Sequence, residues 1–424
     1  GKSTVLSELA VQLSRQGKRL LCTAASNAAV DHLLELCVEA GLRAVRVGHP
    51  ARVLPHLQGH TLDLLVEQHD DRILAKALFE EAFDLLGYAR KQRSRGRSRE
   101  RFSNAREASV EARRLMDEAR SLERRALRSI LSGAPVVCAA LSMLEGSVLG
   151  REEFDVTLFD EATQAIEPLS LLAFSKAPVV VLAGDPQQLP PTVISPEAAK
   201  EGLATSLFER LLADFGDDIK RMLKEQHRMH ERIMRFPSDA TYGGQLRAHP
   251  DVAARGLTLE GLDTPPVLFL DTAGKGFEES KAPQTESLRN EGEAELVVAR
   301  ARALVAAGLA PSELAVISPY RAQALLLREA LGDLPEVEVD TVDAFQGREK
   351  DVVCLSLVRS NVDQRLGFLE DLRRLNVAIT RPRRHLFVVG DSATLSGHAH
   401  YARWLEFITA ADGYRSAWEW PVEP

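Results

Sequence analysis

Cysteine is scarce in this sequence. Only Cys22, Cys37, Cys138 and Cys354 occur, scattered and without a C-x-x-C pair, which argues against a disulfide framework and against a zinc module built on cysteine pairs. Long apolar runs are missing as well. None approaches the roughly 20 residues that cross a bilayer, and the sequence does not open on the charged region and apolar core of a secretory signal. A reducing cytoplasm, with no membrane, is the expectation. No repeat of solenoid period occurs, and no N-K-x-D stretch is present to read guanine. His398 and His400 form an H-x-H with no third ligand near them in sequence, the pattern of a solvent-exposed pair rather than a metal site.

What is present suits a folded chain of two or three domains: 424 residues, 45% of them apolar. The net charge of −8 hides an asymmetry. Between Arg90 and Arg128 stand fourteen Lys/Arg against six Asp/Glu, a local +8, so the remainder carries −16. GKSTVLSELAVQLSRQG has apolar residues at helical spacing up to Gly17, and KRLLCTAAS follows as a short apolar run. APVVCAA, FDVTLFD and APVVVLAGD repeat that strand character, and LAVISPY, VEVDTVD, DVVCLSLV and HLFVVGD form a second set. Short Val-rich runs separated by helical stretches predict parallel sheets covered on both faces, with functional loops at the strands' carboxyl ends. Two α/β domains in series result, residues 1–218 and 219–424. Residues 59–130, rich in Ala, Leu, Glu and Arg, predict long helices inserted in the first, with KQRSRGRSRERFS as a mobile turn between them.

Gly1, Lys2 and Ser3 lead into the first helix as the last part of a phosphate-binding loop does. In such a loop helix amides and a lysine meet phosphates, and a hydroxyl ligates magnesium. Asp160 and Glu161 close the strand FDVTLFD. An aspartate there is suited to hold Mg2+ and the adjacent glutamate to orient and deprotonate a water. A further strand ends in GDPQQLPPT, where Gln188 is placed to sense the γ-phosphate of ATP. An acidic pair that merely caps a helix is the plainer alternative for Asp160 and Glu161.

The ordered series GKST, TAASNAAVDHLLE, LFDEATQAIEP, LAGDPQQLPPT, LKEQHRMHERI, RNEGE, VISPYRAQ, VDTVDAFQGREKDVV and RRLNVAITRPRRHLFVVGD resembles superfamily 1 helicases. The branch is that of the nonsense-mediated-decay and immunoglobulin-mu-binding helicases, and the likeness covers nearly the whole chain. It implies two tandem RecA-like P-loop domains with ATP and Mg2+ bound in the cleft between them, and stepwise 5′ to 3′ movement of a monomeric motor on single-stranded DNA or RNA. It implies that Arg228 and Arg381 stabilise charge on the transferring phosphoryl group, that Glu349 binds the ribose, and that Gly347 lies near the phosphates. For nucleic acid it points to Ser26, Asn27, Pro190, Pro319, Arg321 and Thr341, contacts to phosphates that read no sequence. The insertion resembles the branch's accessory helical subdomain.

Two positions depart from the pattern. His227 stands where tyrosine commonly stacks on adenine, and an imidazole offers less area. Pro382 follows Arg381 where alanine is usual. An ATP-dependent clamp or nucleoprotein remodeller shares every one of these nucleotide residues and stays open as an alternative to a strand-separating helicase. The resemblance also implies phosphate-loop and adenine-contacting residues upstream of Gly1, without which hydrolysis would be nearly lost.

Overall fold

A strand that is apolar on both sides is stable only where both faces of its sheet are covered, and the computed structural model, which describes residues 1–94, 98–283 and 285–420, contains two such sheets. Two units divide the chain. One holds Lys2–Asp185 and Pro190–Gly216, and the other runs from Asp217 onward and includes Gly1 and Pro186–Leu189.

In the first unit β1 (Leu20–Ala24), β2 (Ala44–Val47), β3 (Val136–Ala140), β4 (Val156–Asp160) and β5 (Val179–Leu182) form a parallel sheet in the order β2-β3-β1-β4-β5. Ala24 lies opposite both Ala140 and Asp160, so the carboxyl ends of the central strands finish level. Helices α1 (Lys2–Arg15) and α2 (Asn27–Glu39) cover one face, where Leu6, Ala10, Val30 and Leu33 meet Leu20, Cys22 and Leu158. On the other face Leu21, Val137 and Phe159 pack with Leu144, Leu149 and Phe154. All four cysteines are free and buried. The apolar pattern does not foretell β2. Its Arg46 breaks the run, yet that side chain is 1% exposed because Asp31 and Asn27 accept from its guanidinium, each at 2.8 Å.

Between β2 and β3 stands an antiparallel pair, α3 (Asp70–Ser94) and α4 (Arg99–Gly133). Its seam is alanine at sevenfold spacing. Ala75, Ala82 and Ala89 on α3 face Ala119, Ala112 and Ala105 on α4, all 2% exposed or less, with Leu115 and Leu122 beside them, and Ala126 continues the buried repeat on α4. A seven-residue apolar repeat winds helices into a coiled coil, and methyl side chains let the axes approach toward the short end of the usual 8–10 Å. The stretch KQRSRGRSRERFS, expected as a mobile turn, is instead largely helical: residues 91–94 end α3 and 99–103 begin α4, Ser98 caps α4 by accepting from Arg101 N–H, and residues 95–97 lie outside the described residues.

In the second unit β6 (Val267–Asp271), β7 (Leu314–Ser318), β8 (Glu338–Thr341), β9 (Lys350–Ser356), β10 (Pro382–Gly390) and β11 (Tyr414–Ser416) pair in parallel in the order β8-β7-β9-β10-β6-β11. α5 (Glu231–Thr241) and α8 (Leu372–Ile379) bring Ile233, Phe236, Leu375 and Val377 to one face. α6 (Glu291–Ala306) and α7 (Arg321–Ala330) bring Val297, Ala301 and Leu327 to the other. Every Val-rich run read as a strand is one. In this second sheet β6 and β11 are additional, as β2 is in the first. Among the described residues no helix is long and apolar enough to cross a membrane.

Candidate functional site

At the end of β4 the chain turns on Glu161, which holds a left-handed φ of +50°, a conformation that costs a non-glycine residue about 1 kcal/mol or more. The turn is fastened locally: the Glu161 N–H donates to Asp160 Oδ1 at 2.9 Å. Gln164 Nε2 donates to Glu161 Oε2 at 2.9 Å, and Lys2 Nζ stands 3.7 Å from Glu161 Oε1. Ser3, one residue into α1, donates its hydroxyl to Asp160 Oδ2 at 2.6 Å. Burial pushes the Asp160 carboxyl above the ordinary range, Glu161 adds to this, and Ser3 and Lys2 oppose it. Lys2, Ser3, Asp160 and Glu161 are therefore one cluster, although 157 residues separate Ser3 from Asp160. A hydroxyl and a carboxylate are the hard oxygen donors magnesium takes, so this donor set fits that ion.

The GDPQQ loop that follows β5 needs its glycine. A Cβ on Gly184 would stand 2.9 Å from the Thr163 methyl and 3.2 Å from its backbone nitrogen. Beyond it, Pro186–Leu189 belong to the second unit, where Asn376 Nδ2 donates to the Gln187 carbonyl at 2.8 Å. Gln188 is half-buried in that stretch, and Pro190 is half-buried after it.

Arg228 and Glu349 are salt-bridged in the second unit, Nε to Oε2, and Arg228 Nη1 donates to the Thr380 carbonyl at 3.1 Å. Gln226 shapes the turn: its Oε1 accepts from the N–H groups of Arg228 and Met229 at 2.8 and 2.7 Å. Arg383 donates to Glu349 Oε1 at 3.0 Å. Burial pushes Glu349 up, but Arg228 and Arg383 outweigh it and hold the carboxyl below its usual range. Arg381 is 2% exposed and donates to the Val377 carbonyl and the Thr380 hydroxyl, both at 2.9 Å. Pro382, with no N–H to give, is the first residue of β10, a position where a strand tolerates proline. Gly347 is exposed with φ +83°. His227 is exposed and stacks on His249, ring centroids 4.3 Å apart. Reading the sequence missed Gln226, Arg383 and His249: Gln226 and His249 belong to or follow a ladder two residues long, and Arg383 lies in β10 among three consecutive residues that read as a plain basic run.

The nucleic-acid candidates gather at carboxyl ends of strands. Ser26 and Asn27 are exposed just after β1. The Ser26 hydroxyl caps α2 by accepting from Ala29 N–H at 3.2 Å, and the Asn27 carbonyl oxygen serves Arg46. Arg321 is exposed at the start of α7, and Thr341 closes β8, where its hydroxyl accepts from Ala344 N–H at 3.3 Å. Pro319 is buried, so of this stretch Arg321 is the side chain presented to solvent. His398 and His400 are half-buried rather than solvent-exposed. His398 caps the last helix by accepting from His400 N–H at 3.2 Å, and His400 packs edge-on against Phe236.

Two family profiles, each described as an AAA domain, match residues 1–196 and 203–393. The DNA-binding protein SMUBP-2 of Mesocricetus auratus is 40% identical over 431 residues, covering 99% of this chain and 43% of that protein. The DNA polymerase alpha-associated DNA helicase A of Schizosaccharomyces pombe is 37% identical over 424 residues, 96% of this chain and 62% of its own length. An uncharacterized ATP-dependent helicase of Methanocaldococcus jannaschii is 32% identical over 457 residues, 97% of this chain and 67% of its own. The chain belongs to the superfamily 1 helicases, in the nonsense-mediated-decay-helicase-like branch. This helicase chain spans about two fifths of SMUBP-2. Its two α/β units are accordingly RecA-like domains.

Proposed function

We propose that this chain is the motor core of an ATP-driven helicase or translocase on single-stranded DNA or RNA, moving 5′ to 3′. The observation that carries the reading is the cluster of Lys2, Ser3, Asp160 and Glu161 at the junction of α1 and β4. Lys2 meets the β- and γ-phosphate oxygens, and Gly1 contributes backbone. Ser3 and Asp160 are the residues suited to hold Mg2+, which when bound neutralises phosphate charge. Glu161, fixed by Gln164, accepts a proton from water as the water oxygen bonds to the γ-phosphorus and the bond to the β–γ bridging oxygen breaks. Gln188 senses the γ-phosphate.

Arg228 and Arg381, both on the second domain, are the guanidiniums that offset the charge developing during phosphoryl transfer, an effect of about 10³–10⁵ in rate for arginine fingers. Glu349 orients Arg228 in addition to meeting the ribose, Gly347 gives the phosphates close backbone access, and His227 stacks on the base. Ser26, Asn27, Pro190, Arg321 and Thr341 grip the phosphate backbone, with buried Pro319 setting the course of the loop before Arg321. The test is Glu161→Gln in the full-length protein. The amide keeps the shape but cannot take the proton, so ATP binding is retained while turnover falls by at least about 10². Undiminished hydrolysis would refute the assignment. A duplex-unwinding assay on the wild type separates a helicase from a clamp.

A further inference from the structure

His227 and His249 are brought together by a ladder only two residues long. Glu225 pairs with Arg247 and Gln226 with Ala248, in parallel, and His249 N–H donates to the Gln226 carbonyl at 3.0 Å. Strand alternation turns Glu225 and His227 to the same side, away from Gln226, and sets His249 next to His227. One nitrogen from each histidine and one Glu225 carboxylate oxygen lie within 4.8 Å of one another. His227 Nε2 and Glu225 Oε1 are 3.4 Å apart, and a tetrahedral ion with bonds of about 2 Å spaces its donors about 3.3 Å apart. Behind the cluster Asp251 Oδ2 stands 3.3 Å from His249 Nδ1. The same Nδ1 accepts from the Asp251 N–H at 3.3 Å, a cap bond that ligation through Nε2 would exchange for an Nδ1–H bond to that carboxylate, the support that metal-bound imidazoles ordinarily have.

We propose that Glu225, His227 and His249 form a surface site for a divalent transition metal of the zinc class, with the remaining coordination position open to water, and that metal there competes with nucleotide for His227. Two imidazoles and one carboxylate suit zinc rather than magnesium, which prefers oxygen donors. The competition half rests on the reading that His227 stacks on the base. A ring ligated to a metal beside Glu225 is no longer available as a stacking surface, so zinc weakens nucleotide binding without touching the groups that act on the phosphates.

The experiment is a Zn2+ titration of the metal-stripped full-length protein against a chromophoric indicator, without nucleotide, for the wild type, His249→Ala and Glu225→Gln. One zinc per chain in the wild type, with affinity lowered at least about tenfold in both variants, supports the site. No saturable binding, or affinity unchanged in the variants, overturns it. ATP hydrolysis is then followed at buffered free Zn2+ and excess Mg2+. A several-fold rise in the KM for ATP in the wild type, absent in His249→Ala, supports competition. Zinc bound through these residues with KM unmoved overturns the competition half and the stacking role of His227, leaving the metal site standing.

Discussion

Arg228 and Arg381 occupy opposite environments, and their substitutions should part accordingly. The Arg228 side chain is 30% exposed and held by Glu349 and a backbone carbonyl. Removing it leaves Glu349 still paired with Arg383, so Arg228→Ala should lower kcat far more than nucleotide affinity while the unfolding midpoint stays close to wild type. Arg381 is buried in bonds to its own domain, and alanine there removes those bonds and leaves a cavity, at about 2–4 kcal/mol. Arg381→Ala should lower both kcat and the unfolding midpoint; steady-state kinetics beside thermal unfolding decide, and equal midpoints for the two variants would be the contrary result.

A second buried group has a pH signature. Glu293 is fully buried, accepting from Ser356 Oγ at 2.7 Å and from Val358 N–H at 2.8 Å, and so fastens a valine whose φ is +73°. Burial pushes its carboxyl from 4.5 up to about 8. Between those values the folded state keeps a proton the unfolded state has lost. Stability is therefore full below about pH 4.5 and declines as pH rises toward 8, by up to about 1.4 kcal/mol per unit. Glu293→Gln cannot ionise, and its midpoint relative to wild type should climb from pH 5 to pH 8. A constant difference across that range would show that Glu293 is charged in the fold.

Among the elements, α3 and α4 show why helices are easier to foresee than their pairing. Their composition announces helix, but the seam is built of alanines, which weigh little in any apolar pattern although Ala105, Ala112, Ala119 and Ala126 recur every seventh residue. The basic run begins at the end of α3 and continues along α4, and it is densest between residues 90 and 101. Arg93 lies in the last turn of α3 and Arg99 opens α4, and Arg95 and Arg97 lie outside the described residues. Replacing all four by glutamine should reduce single-strand affinity and flatten its salt dependence, by about 0.7 in slope for each phosphate that the variant no longer neutralises. Basal ATP hydrolysis should persist, since the nucleotide cluster is elsewhere. A salt titration of binding reads this directly, and an unaltered slope would mean the run is a solvated surface.

At the scale of the whole molecule, most strands are legible as short, Val-rich runs, although β2, β6 and β11 are not, and the nucleotide motifs are legible because their residues are contiguous. What stayed hidden depends on contacts across long separations. β2 is interrupted by Arg46, whose charge is tolerable only once Asp31 and Asn27 fold against it. His249 joins His227 through a ladder too short to leave a pattern, and Arg381 reads as a surface cation until β10 and α8 close over it. The helical pair has one more consequence. α4 has 35 residues, about 50 Å at 1.5 Å each. Its far end is seated by Leu127, Ile130 and Leu131 in the core under the sheet, and only Ala134 and Pro135 separate Gly133 from β3. Such a helix is a lever hinged on a strand. A tilt of about 5° at its seat carries the opposite end through about 4 Å, so rearrangements in the first sheet too small to alter its packing would be delivered, magnified, to Arg99 and the start of α4.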